Sequence, residues 1–188
     1  MAARTTTRSS RGILKIAIPL AAAFFFVSTA VHAQQPKDPL TPDQEEQVRA
    51  VTDQPDERVK LFIKFIEQRT DAIHHAVVRP ATQHPGAQIH DALSDFTSLV
   101  DELQDNLDEY DQSHDDVRKS LKVLLEHAPK WQSTLREPPE SPAYEFGRKS
   151  AMDATANLIQ SATELQKSQE EYFSKHKPGK AAPKPPEG

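Results

Sequence analysis

From Ile89 onward the apolar residues Leu93, Phe96, Val100, Leu103, Leu107 and Tyr110 follow in alternating steps of four and three. On an α-helix that spacing draws one continuous seam, whereas a strand would turn successive side chains to opposite faces. The rhythm continues in register through His114 to Val117, Leu121, Leu124, Ala128, Trp131 and Leu135. A chain with such a seam must pack helices against helices. Aromatic residues make up only 6% of it, which is low for a sheet protein, whose strands favour aromatic and β-branched side chains.

Proline punctuates the helices. Leu40-Thr41-Pro42-Asp43-Gln44 opens a short leading helix ending near Asp53. Thr41 suits the N-cap, Pro42 the first turn, where its missing N–H has no helical partner, and Gln44 completes a capping box. Gln54-Pro55-Asp56-Glu57 starts a second helix, with acids against its positive end. Its apolar stripe is Val59, Phe62, Ile66, Ile73 and Val77, flanked by Leu61, Phe65 and Ala76, and it stops before Pro80. Residues 80–86 then read as a loop leading to the seam helix. In the next segment Pro129 is expected to kink the helix or end its first part. Pro138, Pro139 and Pro142 enforce a connection, and Ser141-Pro142 caps a last helix running to Lys175. The inner face of that helix is Ala151, Ala154, Leu158, Ala162, Leu165 and Tyr172, small enough for neighbours to approach closely.

The seam leaves two arrangements open at Ser113. Without a break, the third and fourth helices form one rod of about 50 residues, roughly 75 Å long. A break, favoured by the cap-like pair Ser113 and Asp116, yields helices of about 25, 27, 23 and 34 residues, which pack together. The expected fold is therefore all-α: an antiparallel four-helix bundle with a short leading helix.

The N-terminus carries Arg4, Arg8, Arg11 and Lys15, an apolar run from Ile16 to Ala30, and the small-residue site Val31-His32-Ala33. This is the pattern of a secretory signal peptide, residues 1–33, cleaved after Ala33. A membrane-spanning helix needs roughly 20 apolar residues, and Pro19 interrupts this shorter run. Residues 34–40 read as an extended linker, 41–175 as the bundle domain, and 176–188 as a Lys/Pro-rich disordered tail. The expected location is periplasmic or secreted, in a bacterial cell envelope, with no membrane span after cleavage. Signal removal takes Lys+Arg from 23 to 19 against 28 Asp+Glu, leaving −9. Residues 175–188 contribute +3, so residues 34–174 carry −12, which disfavours nucleic-acid phosphates as partners. The absence of cysteine excludes disulfides, thiolate metal sites and a cysteine nucleophile, and five glycines argue against phosphate-cradling loops.

Three groups of residues are candidate sites. Asp101, Glu102, Asp105, Asp108, Glu109, Asp111, Asp115 and Asp116 place eight carboxylates within 16 residues, with no Lys or Arg among them. A turn at Ser113 would bring carboxylates from two helix ends to one pole, able to hold a divalent cation or a basic partner; a solvated face is the plainer explanation. His74, His75, His84 and His90 span the turn between the second and third helices, with Asp71 three and four residues before the first two. Imidazoles with a carboxylate can bind zinc or copper, but no His-Glu-x-x-His motif is present, and surface or capping roles compete. His114 lies on the seam itself, where imidazole titration offers a pH-sensitive hinge.

Met152 is the one methionine after the signal segment, and no histidine is placed to join it as a haem ligand. Trp131, Tyr144 and Phe146 either line a groove near the proline-rich connection or anchor the core. No Gly-x-Ser-x-Gly elbow, P-loop or zinc-protease motif occurs, so no enzymatic activity and no cofactor are expected.

Leu40-Thr41-Pro42-Asp43-Gln44 resembles the Leu-Thr-x-x-Gln motif of the periplasmic Spy/CpxP chaperone family, small exported helical dimers that cradle unfolded clients. The resemblance covers five residues; a second copy of the motif is absent, and residues 34–174 are acidic where the family's cradle is basic. The functional expectation is a non-enzymatic envelope protein that binds or scaffolds a protein or polymer through its helix faces. The alternatives are a metal-binding bundle using the histidine turn and a chaperone of the Spy/CpxP kind. An acidic seam serves a monomer or a homodimer equally well.

Overall fold

A computed structural model describes residues 38–176; the expected signal peptide with its Ala33 cleavage site, residues 34–37 of the linker and the tail beyond His176 lie outside them. The described residues form five helices and no strand. They are α1 (Pro42–Ala50), α2 (Pro55–Val78), α3 (Pro85–Ser113), α4 (Arg118–Thr134) and α5 (Glu145–Lys175).

The leading helix begins as its sequence dictates. Thr41 Oγ1 accepts the Gln44 N–H at 3.3 Å, and Gln44 Oε1 accepts the Thr41 N–H at 3.1 Å, closing the capping box. Gln44 also ties α1 to α2. Its amide donates to Gln68 at 3.0 Å, and its Oε1 accepts Arg69 Nη2 at 3.0 Å. The same guanidinium group reaches the Pro39 carbonyl at 3.1 Å, so the segment entering α1 is held against α2.

Helices α2 to α5 pack round a common core in the order α2, α3, α5, α4, with no Cα atoms within 8 Å across either diagonal. Consecutive helices reverse direction, yet two of the four sides of the bundle are parallel. The start of α2 meets the start of α4 through Asp56 and Ser120, and further along Glu67 of α2 meets His127 of α4. The start of α5 lies beside the start of α3, where a Cβ on Gly147 would stand 3.7 Å from His90 Nδ1. The link of residues 114–117 accordingly takes the chain from α3 to the diagonally opposite corner rather than to its neighbour. Only the α2/α3 and α4/α5 sides are antiparallel.

The core is made by the stripes read from the sequence. Phe62, Phe65 and Ile66 of α2, Phe96, Leu103 and Leu107 of α3, Leu121, Leu124 and Trp131 of α4, and Leu158 of α5 are all buried. On α5 the inward register differs at two positions, since Gln169 is buried where Tyr172 is only half-buried, and Thr155 takes the place expected for Ala154. Thr155 is buried and Ala154 lies at the core edge; the Thr155 hydroxyl donates to the Ala151 carbonyl at 2.7 Å and so enters the interior satisfied. Small side chains also permit close approach at the far end, where a Cβ on Gly86 would lie 3.2 Å from Ala143 Cβ.

Two boundaries differ from the sequence expectation: α3 starts at Pro85, inside the residues 80–86 read as a loop, and α5 starts at Glu145, after the expected Ser141-Pro142 cap. Pro129 does not end α4, which continues to Thr134, and Ala128 and Trp131 on either side are fully buried. Ser141 opens a turn rather than the last helix: its hydroxyl accepts the Ala143 N–H at 3.3 Å, its carbonyl accepts the Glu145 N–H at 3.0 Å, and α5 starts at Glu145. No helix among the described residues is long and apolar enough to cross a membrane.

Candidate functional site

The break between α3 and α4 is present, at residues 114–117. Helix α3 ends on His114, whose φ of 58° and ψ of 34° are left-handed, the one non-glycine positive φ among the described residues. A reversal of the backbone there frees the last carbonyls of α3 and the first N–H groups of α4, and each needs a partner from elsewhere. Ser113 does not cap α4. Its hydroxyl faces back, 3.0 Å from the Glu109 carbonyl and 2.6 Å from Asp115 Oδ2. The cap comes instead from α2: Asp56 Oδ1 accepts the Ser120 N–H at 3.0 Å and the Ser120 hydroxyl at 2.7 Å. A carboxylate at the start of one helix thereby caps its parallel neighbour.

Helix α5 supplies the rest of the closure. Gln169 is buried; its Oε1 accepts the Val117 N–H at 3.1 Å and its Nε2 donates to the Asp115 carbonyl at 2.7 Å. One turn on, Tyr172 stacks on His114 with ring centroids 4.4 Å apart and on His176 at 4.5 Å. Phe173 lies under the Arg118 guanidinium group, 4.7 Å from Cζ to the ring centroid. Gln169 falls on the inward spacing of Leu158, Ala162, Leu165 and Tyr172, so periodicity alone would have placed it inside. Its partners, 52 and 54 residues away, carry no local signal.

The eight carboxylates do not gather into one pocket. Asp116 forms a two-pronged pair with Arg118, at 2.8 Å to Nε and 2.7 Å to Nη2, and also accepts the Arg118 N–H. That hydrogen bonding holds the Asp116 carboxyl below the usual carboxylate range. A cleft beside this pair is lined by Asp56, Asp116 and Glu170 but equally by Arg118, Lys119 and Lys122, so its charge is mixed. Asp108 and Asp111 instead border a shallow acidic cleft between α3 and α5, with Leu107, Ser161, Glu164 and Leu165. Further from the break, burial followed by the neighbouring Asp105 charge raises the Asp101 carboxyl.

The Asp116 pair fixes the sign of one pH effect. Because its folded value is lowered, its contribution is fully present above the ordinary aspartate value near 3.8 and fades as pH falls toward the folded value. Asp116→Asn is therefore expected to destabilise the protein at pH 7 and to narrow its loss of stability on acidification to pH 3, read from urea midpoints at the two pH values.

The four histidines of the turn point to different partners. His74 Nδ1 lies 2.6 Å from Glu137 Oε2, beyond the end of α4, and the His75 ring stands edge-on to His74 at 6.0 Å. His84 is the N-cap residue of α3 and its ring makes no capping bond, while His90 faces Gly147 at the start of α5. Among the described residues no group of three or more His, Asp or Glu side chains comes together in a way that could hold a metal ion. A second histidine–carboxylate pair, His127 Nδ1 to Glu67 Oε1 at 2.6 Å, bridges α2 and α4 and was not singled out from sequence. Of the three aromatics near the proline-rich connection, Trp131 is in the core, and Tyr144 is buried with its hydroxyl donating to the Pro139 carbonyl at 2.6 Å. Phe146 is 84% exposed. Met152 packs at the core edge.

No protein-family model, curated protein or solved structure matches this chain.

Proposed function

We propose that the protein is an exported, non-enzymatic helical binding or scaffolding protein of the bacterial cell envelope, acting through its helix faces. The observation that carries this reading is how the side chains are distributed. The interior of the bundle is filled mainly with apolar groups, and the buried hydroxyls of Thr70, Ser120 and Thr155 bond to backbone carbonyls. The groups with chemistry to offer a partner lie outside, on open surfaces such as the Asp108, Asp111 and Glu164 face of α3 and α5. The basic segment at residues 175–188 supports contact with an anionic envelope polymer, while the acidic body stays solvated.

Deleting residues 177–188 is expected to release the protein from the envelope fraction at physiological salt; unchanged retention would overturn the polymer contact. Thermal melts in EDTA and then with zinc, copper or calcium separate this role from metal binding. Indifference to all three ions is the expected result, whereas a shift abolished by replacing His74 and His75 with alanine would favour the metal-binding bundle. The residues that resemble the Spy/CpxP motif are occupied in capping α1 and joining it to α2, so they add no weight to a chaperone role.

A further inference from the structure

We propose that the protein has a second state, a domain-swapped dimer, in which α3 and α4 straighten into one rod and each copy packs its α4–α5 half against the α1–α3 half of the other. The contacts of the bundle divide along that line. Within one half α2 packs on α3, within the other α4 packs on α5, and the halves meet through α2 with α4 and α3 with α5. The backbones of α3 and α4 do not come within 8 Å of each other (Cα to Cα) and the two helices are joined by residues 114–117. A second copy can thus supply every helix face that the first copy withdraws, and only the link changes conformation.

The link is suited to both states. Its apolar seam runs in register from Tyr110 through His114 to Val117, so a straight helix would keep every core residue on the inner side. In the rod, Val117 N–H and Asp115 carbonyl would find partners within the helix, and the demand that Gln169 and Asp56 now meet would vanish. His114 would leave the left-handed region, where a side chain with a Cβ is disfavoured by roughly tenfold in population. Against this stand the Gln169 bonds, the His114–Tyr172 stack and the charge of the break. Asp111, Asp115 and Asp116 of both copies would lie close together at the middle of the paired rods, so salt should favour the swapped state.

Because the chain has no cysteine, Asp105→Cys and Lys130→Cys, both at exposed positions, report the link directly when spin-labelled. In the bundle these positions sit on diagonal helices, whose axes lie about 11–14 Å apart for neighbours at 8–10 Å, so outward-facing labels stand about 21–26 Å apart. In the rod they are separated by 25 residues, about 38 Å. The protein is refolded at high concentration in raised salt, fractionated by size, and the dimer is measured with labelled chains diluted in unlabelled ones. His114→Leu, which resists the left-handed region and extends the seam, is expected to raise the dimer-to-monomer ratio about tenfold, and His114→Gly to lower it. A dimer showing the long distance supports the swap. A dimer that keeps the short distance overturns it, as does a helical His114→Leu protein that stays monomeric. Should His114→Leu fail to fold, equal dimer fractions for the wild type and His114→Gly overturn it.

Discussion

Trp131→Ala is expected to lower the free energy of unfolding by about 3–5 kcal/mol, the range for truncating a large buried aromatic side chain. Trp131 is fully buried and is the largest such side chain in the bundle. It sits near the end of α4, which at 17 residues is the shortest of the four bundle helices and packs on both α2 and α5. Removing the indole takes away hydrophobic transfer energy and also leaves a void that two neighbouring helices can close only in part, because close-packed interiors relax little. A domain of this size has about 5–15 kcal/mol to lose, so the variant should melt far earlier or be partly unfolded at room temperature. Urea titration followed by circular dichroism at 222 nm tests this. As the single tryptophan of the chain, Trp131 also lets the wild type be followed by its own fluorescence, expected to be blue-shifted until the main transition. A loss below about 1 kcal/mol would show that Trp131 is not buried in the core.

Gln169→Leu has the second largest expected effect, a loss of about 2 kcal/mol. Leucine keeps most of the volume and adds apolar surface, so packing alone would predict a neutral or stabilising change. The loss comes from the Val117 N–H and the Asp115 carbonyl, which surrender partners at 3.1 and 2.7 Å. Val117 is itself fully buried, so water cannot replace Gln169 at its N–H without opening the break. Hydrogen exchange should localise the damage, with Val117 and the first turn of α4 losing protection before α2 and the middle of α3 do. A leucine variant as stable as the wild type would mean that the two bonds at the break contribute nothing net.

Both residues sit on stripes that periodicity places inside, yet only one of the two roles was legible. Trp131 follows from the seam, since its place depends on residues three and four positions away. Gln169 falls on the inward spacing too, but its task is set by a backbone break more than 50 residues earlier. Asp56 shows the same division. Its place in the first turn of α2 is a local matter of charge against a helix end, while its bonds to Ser120 depend on α4 lying parallel beside it. The histidines follow the rule as well: four of them lie close in sequence, but α2 carries His74 to Glu137 and α3 carries His90 to Gly147.

What the sequence alone determined is therefore whatever is settled within about two helical turns: that the chain is helical, where Thr41 and Pro55 start helices, and which faces are apolar. Backbone hydrogen bonds four residues apart, caps and the fixed φ of proline act over that distance and leave their mark in adjacent residues. The tertiary structure alone decided that α3 crosses to the diagonal corner, that two sides of the bundle run parallel, and which carboxylate meets which donor. Those outcomes depend on how whole helix faces share one core, and apolar side chains attract without direction, so no short stretch of sequence names its partner.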